Sequence, residues 1–169
     1  MKMKFFTTGG TIDKVYFDAK SEFEVGPPQV AELLRDANVT IGFELESILR
    51  KDSLDLTDAD RALICERIAA DPVERIVVTH GTDTMIQTAL LLRSIPGKTI
   101  VLTGSLQPAR LRVTDAAFNL GAAVIAAQML PPGVYLAMNG QIFDPARSRK
   151  NFKNHCFEVI PDQQAPVGI

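Results

Sequence analysis

The residues of this chain best suited to chemistry are hydroxyl side chains set in glycine-rich turns. One run reads Thr7-Thr8-Gly9-Gly10-Thr11, a second Thr79-His80-Gly81-Thr82-Asp83-Thr84, and a third Thr103-Gly104-Ser105. Glycine lets backbone approach a ligand closely, and the hydroxyls cluster on one rim. A helix starting at or just after Asp83 would offer free N–H groups to a carboxylate or a developing oxyanion. Taken singly, each run is equally the tight turn with a Ser, Thr or Asp cap that any strand-to-helix connection uses. More familiar glycine signatures do not fit. Thr8 to Asp13 lacks the spacing of a dinucleotide site, there is no P-loop, and Gly104-Ser105 lacks the second glycine of a nucleophile elbow.

The elements that must position these turns are short apolar runs alternating with longer helical patterns. Strands are predicted over residues 4–7, 39–45, 75–79, 99–103 and 134–138, with 141–143 a short hairpin partner of the last. Helices are predicted over 29–36, opened by Pro27-Pro28, over the stretch after Thr57, over 83–95, and over 114–130. Thr57 with Asp60 is a capping-box variant, and Pro96-Gly97 and Pro131-Pro132-Gly133 stop the two later helices. Arg75 to Thr79 is β-branched in the manner of a strand buried on both faces. This alternation predicts a three-layer α/β fold: a doubly wound, mostly parallel sheet with helices on both faces. Ligands of such sheets bind outside the carboxyl ends of the strands, where all three hydroxyl-bearing turns fall. Periodicity does not give the strand order.

Composition narrows the functional classes. At 169 residues, 46% apolar and 22% charged, the chain reads as one domain, 1–169, with a core of its own. A net charge of -2 gives no electrostatic reason to expect a nucleic-acid or membrane partner. Cys65 and Cys156 have no metal-site spacing, and His155 beside Cys156 does not make one, so neither metal nor disulfide is implied. The basic, then apolar start ends at Thr7, short of the roughly 7–15 apolar residues of a signal h-region. No run approaches the roughly 18 residues of a membrane span, and the expected location is the cytoplasm.

In combination the turns say more. Thr8-Gly9-Gly10-Thr11-Ile12, followed by Val78-Thr79-His80-Gly81-Thr82-Asp83-Thr84-Met85, resembles the two signatures of the bacterial-type L-asparaginases. Asp52-Ser53-Leu54-Asp55-Leu56-Thr57 is similar to that family's substrate-carboxylate loop, and Thr103 to Pro108 and Asp115 to Leu120 fall where it has related segments. Met138-Asn139-Gly140, Ile142-Phe143-Asp144 and Lys150 match the approach to the family's catalytic lysine. The resemblance runs through essentially the whole chain in order.

It implies a cofactor-free hydrolysis of L-asparagine to aspartate and ammonia. Thr11 is the implied nucleophile, facing a hydroxyl–carboxylate–amine set of Thr82, Asp83 and Lys150. Spacing leaves open which threonine attacks first. Gly10, Ser53, Leu54, Gly81 and Ser105 are the implied substrate-binding positions. Leu54 stands where the family often has a polar side chain, so only its backbone can serve. The bland alternatives are a solvated lysine in a basic run for Lys150 and a helix cap for Asp83, which can do both jobs, while His80 reads as a structural residue of its turn.

Better-known members carry a second, smaller domain that helps build a neighbouring protomer's site. The present chain reads as a short member without it, still a homo-oligomer of two or more copies. Alternatives that keep the same residues are glutamine or a β-aspartyl amide as substrate, or a non-catalytic amino-acid-binding or amidotransferase subunit. A flap tyrosine usually supports the first threonine. Phe23 occupies its familiar position without a hydroxyl, which leaves Tyr16 as the candidate. Tyr16→Phe is then expected to lose about 10²-fold or more in rate, the lower range for proton-transfer groups; a near wild-type rate in an ammonia-release assay removes Tyr16 from the set.

Overall fold

The computed structural model describes residues 2–17 and 21–161. Strand β1 (Lys2–Gly9) leads through a one-turn 3-10 helix (Thr11–Asp13) into a hairpin arm, β2 (Lys14–Phe17) and β3 (Glu22–Val25). Then follow α1 (Val30–Asp36), β4 (Gly42–Lys51), α2 (Asp58–Ala70), β5 (Arg75–Thr79), α3 (Met85–Leu92), β6 (Thr99–Thr103), α4 (Ala116–Met129) and β7 (Gly133–Met138). The chain continues with β8 (Gln141–Phe143), β9 (Ser148–Asn151) and β10 (Cys156–Val159). The main sheet has the order β4-β1-β5-β6-β7-β8, parallel except for β8. β9 and β10 pair as a separate antiparallel hairpin, as do β2 and β3.

Alternation along β1 shows why the sheet is covered on both sides. Phe6 points into a core with Ile64 and Ile68 of α2 and Met85, Ala89 and Leu92 of α3. Phe5 points the other way, into a core with Val30 and Leu34 of α1 and Leu120, Ala123 and Ala127 of α4. Both phenylalanines are fully buried, as a period-two strand sandwiched between helix layers requires. The expected doubly wound, three-layer architecture is therefore the one formed.

Several element boundaries differ from expectation. The strand expected over 39–45 is instead β4, running parallel to β1 from Lys2↔Gly42 to Gly9↔Lys51. Its charged residues disguise it, and they are tolerated because β4 is an edge strand. Glu44 pairs with Lys2 at 2.6 Å, and Glu46 with Arg67 of α2 at 2.7 Å. The helix expected from residue 83 begins only at Met85, so Asp83 is not its cap. Thr84 holds the cap position, but its hydroxyl donates to Ser53 O at 2.8 Å instead of capping. After Leu92 the chain tightens into i→i−3 turns up to Ile95.

The capping box at the start of α2 is formed in both directions. Thr57 Oγ1 accepts Asp60 N–H at 3.2 Å, and Asp60 Oδ2 accepts Thr57 N–H at 2.8 Å. Thr57→Ala removes one half of it and should cost about 1 kcal/mol of stability. A lowered urea midpoint at unchanged slope is the expected reading; an unchanged midpoint would show that the box contributes nothing measurable.

Candidate active site

The strand order puts β1 beside β5, and the chain order reverses there: β4 lies on one side of β1, while β6 and β7 extend from β5 on the other. Loops leaving the carboxyl ends of two strands at such a switch point diverge and leave a crevice. Here the diverging segments are the Thr11 turn after β1 and the His80–Thr84 loop after β5.

Three glycines let these segments interlock. Gly10 has φ +88°, and a Cβ there would lie 2.4 Å from Gly81 N. A Cβ on Gly81 would lie 2.6 Å from Ser53 Cβ, and one on Gly104 would lie 2.3 Å from His80 O. No side chain fits at those separations. Polar contacts complete the seam: Thr8 Oγ1 donates to Thr79 O at 3.0 Å, and His80 N–H to Thr103 O at 2.9 Å. Gly10 N–H is already given to Lys51 O at 2.9 Å, so Gly10 serves the site by its lack of bulk and not as an anion donor.

His80 is the buried pillar of the second loop. Its Nδ1 lies 2.7 Å from Gly81 O and its Nε2 2.8 Å from Thr88 Oγ1. A carbonyl can only accept, so Nδ1 holds the hydrogen and Nε2 accepts from the Thr88 hydroxyl. Both nitrogens are thereby committed, in agreement with the structural reading of this histidine.

A cleft of about 640 Å³ opens at the seam, lined by Thr11, Thr82, Asp83 and Lys150 together with Leu106, Gln107, Val113, Thr114, Asp115 and His155. Lys150 comes from far along the chain, on β9. Its side chain is 9% exposed, which excludes the solvated-lysine reading. The reason is register: Lys150 pairs with Phe157 of β10, so the two share a face, and Phe157 is buried in the core beside Phe143. The hairpin is docked by Asn139, in the β7–β8 turn, whose Oδ1 accepts Phe157 N–H at 2.9 Å. Lys150 Nζ donates to Thr82 Oγ1 at 2.6 Å, forms an ion pair with Asp83, and sits 5.1 Å from the centre of the Phe152 ring. Because Thr82 Oγ1 accepts here, its own O–H stays available to donate.

The remaining expected positions are distributed unevenly. Ser53 is buried against Gly81, and its Oγ has no hydrogen-bond partner among the described residues. Leu54 is 70% exposed, its N–H given to Asp52 Oδ1. Ser105 is buried with its hydroxyl given to Gln107 O at 2.6 Å. Tyr16 lies on the hairpin arm, 53% exposed, its ring edge-on to Phe23 at 5.4 Å. Thus Thr11, Thr82, Asp83 and Lys150 meet in the cleft, whereas Gly10, Gly81 and Ser53, packed on one another, and Tyr16, Leu54 and Ser105 are not among its lining residues.

Residue types and spacing gave no role to Asp115 or His155. The Asp115 carboxylate accepts Leu106 N–H and Gln107 N–H, both at 3.0 Å, and Asn119 Nδ2 at 2.8 Å, which shapes one wall of the cleft. His155 stands at the β9–β10 turn with φ 48° and reaches the rim, a placement only the docked hairpin creates. Among the described residues, no group of three or more His, Cys, Asp or Glu is placed to hold a metal ion, and no helix is long and apolar enough to cross a membrane.

Residues 2–166 match the sequence model of a family described as Asparaginase, N-terminal. The chain is 32% identical over 164 residues to the L-asparaginase of Thermococcus kodakarensis, covering 89% of this chain and 48% of that protein. It is 36% identical over 120 residues to a glutamyl-tRNA(Gln) amidotransferase subunit of Methanococcus vannielii, covering 68% of this chain and 27% of that one. The solved structure of the thermostable L-asparaginase from Thermococcus kodakarensis superposes with a TM-score of 0.81 at 29% identity, over 94% of this chain and 51% of that chain. The chain thus spans about half the length of the L-asparaginase relative that it matches.

Two buried groups around the cleft respond to pH in opposite senses. Burial holds His80 down to about 4 from 6.5. The unfolded chain therefore binds a proton that the native one refuses, and stability is lost as pH falls across that window. Burial pushes Asp13 up to about 6 from 3.8, against the pull of the Gln29 amide and Arg50. The native chain takes up that proton first, so this group adds stability as pH falls through 6. Asp13→Asn removes the second trend alone. Its unfolding free energy should fall with acid between about pH 6 and 4 more steeply than the wild type's, by up to about 1.4 kcal/mol per pH unit. Denaturant unfolding across that range checks it, and parallel curves for the two proteins would contradict it.

Proposed function

The chain belongs to the asparaginase family, matching its N-terminal model over residues 2–166, and from that premise we propose that it hydrolyses the side-chain amide of L-asparagine through a threonine nucleophile. The observation that supports this most is the Lys150–Thr82–Asp83 set, brought into one cleft with Thr11 from two loops and the separate strand β9. An amide needs an activated hydroxyl and a proton path, because a threonine O–H is a poor nucleophile by itself. In the proposed reaction Thr11 Oγ1 forms a bond to the amide carbon and the C–N bond breaks. The threonine proton passes through the Thr82–Lys150 pair to the departing nitrogen, which leaves as ammonia. Water then cleaves the acyl-threonine ester, releasing aspartate and restoring the hydroxyl.

Asp83 holds the Lys150 ammonium in place and is also the acceptor in reach of a substrate ammonium. Ser53, buried with an unpaired hydroxyl beside Gly81, suits the substrate carboxylate, since a buried hydroxyl without a partner costs about 1–3 kcal/mol unless something bonds it. Tyr16 remains in the proposal as a hydroxyl on the arm that follows the Thr11 turn, although its exposed position requires that arm to bring it to the cleft. Exposed apolar side chains along α4, Phe118, Ile125 and Met129, support the reading of the protein as a homo-oligomer.

Likeness to an amidotransferase subunit supports a second reading, in which the same amidase chemistry serves a larger assembly. Glutamine is the corresponding substrate alternative. Its extra methylene would displace the amide from Thr11, so asparagine is expected to be the faster substrate. The purified protein should release ammonia from asparagine without any partner. Thr11→Val and Lys150→Met should each reduce that rate by about 10²–10⁴-fold. Ammonia release that is absent from both asparagine and glutamine, or equal in Thr11→Val and wild type, would overturn the proposal; release from glutamine alone would move the substrate.

A further inference from the structure

The entry to the Thr11 turn is fixed by the packing of Gly10 on Gly81, and its exit is fixed by Asp13. Asp13 N–H donates to Gly10 O at 3.1 Å, and Asp13 O accepts Gly26 N–H at 2.8 Å, closing the base of the β2–β3 arm. Its carboxylate Oδ1 accepts Gln29 N–H at 2.9 Å at the start of α1. Gln29 is itself buried and doubly held: Nε2 donates to Pro27 O at 2.7 Å, and Oε1 accepts Arg110 Nε at 2.9 Å. Arg110 belongs to the loop after β6, whose Ala109 N–H reaches Ile12 O at 3.2 Å and whose Leu106, Gln107 and Val113 line the cleft. A chain of contacts thus joins the turn bearing Thr11 to the cleft loop after β6.

We propose that Asp13 is a positioning residue for the reaction: its carboxylate latches the Thr11 turn to Gln29, and through Gln29 to the Arg110 loop, so that the Thr11 hydroxyl stays fixed in the cleft whatever the arm beyond it does. The inference rests on Thr11 being the nucleophile. Two features argue for more than packing. Asp13 is 1% exposed, and a carboxylate kept there bears the desolvation that raises its affinity for a proton. It also stands at the junction between the turn and the arm, with its backbone carbonyl on one and its carboxylate directed to α1. A nucleophile displaced by about 1 Å can lose 10²-fold in rate while substrate binding is spared.

The test compares wild type, Asp13→Asn, Asp13→Ala, Arg110→Ala and the Asp13→Ala/Arg110→Ala double variant, well below their unfolding midpoints. Asp13→Ala should lower kcat for asparagine by about 10²-fold with KM little changed. Asp13→Asn, which keeps an oxygen facing Gln29 N–H, should restore most of that loss. Arg110→Ala should act in the same direction, and the double variant should be no slower than Asp13→Ala alone, because both break one latch. A kcat for Asp13→Ala within about twofold of wild type per folded molecule, whatever its unfolding midpoint, overturns the latch. If wild type itself releases no ammonia, the catalytic reading has failed and the latch is judged by amide hydrogen exchange. Asp13→Ala should then speed exchange of the amides of 11–14, Gly26 and Gln29 by about tenfold relative to Asp13→Asn, and equal rates overturn it.

Discussion

The working end of this molecule depends on how closely two stretches of backbone approach each other, Gly10 against Gly81. A single added Cβ at Gly10 would come within 2.4 Å of the facing amide, and the position also requires a left-handed φ of +88°. With both loops reduced to backbone, the segment carrying Thr11 can lie directly on the segment carrying Thr82 and Asp83. Gly104 does the same for the third loop, resting on His80 O. The glycines therefore hold the loops at a fixed separation by having nothing to put between them, and the hydroxyls follow from that spacing.

That contact is useful only because the sheet places it at a switch point. β1 and β5 are adjacent and parallel, so their loops emerge side by side at the same edge. β4 lies on the other side of β1, and its carboxyl end delivers Lys51, whose carbonyl takes the Gly10 amide, and then Ser53, against Gly81. Three neighbouring strand ends thus converge on a few ångströms of backbone. His80, neutral and fully bonded, fills the space beneath them without adding a charge.

Lys150 shows how a charge is kept in such a place. Bringing an ammonium out of water is costly, and a buried ion pair is weak evidence for a stabilising role. Here Asp83 and the Thr82 hydroxyl share the ammonium, with the Phe152 ring near by, and the lysine is held inward by the burial of Phe157 on the paired strand. The apolar anchor fixes the hairpin and the polar partners take the charge.

Much of this was legible in the sequence. The buried strands Arg75–Thr79 and Thr99–Thr103 have the boundaries that their β-branched runs predict, and Thr57 with Asp60 forms the expected capping box. These signals are local: side-chain period, turn chemistry and caps act within a few residues. The edge strand β4 was misplaced because Glu44, Glu46 and Arg50 look like loop residues until the edge position and the partners Lys2 and Arg67 are known. Asp13 and His155 had no local signature, since each acquires its role from segments distant in sequence, and Asp115 was visible only as the start of a family-like segment without a role. The hydroxyl-bearing glycine turns themselves were visible from the start. That they belong to adjacent strands, touch through Gly10 and Gly81, and receive Lys150 from a docked hairpin was decided by strand order and burial. Those are properties of hydrogen bonds and packing between distant segments, which no local period encodes.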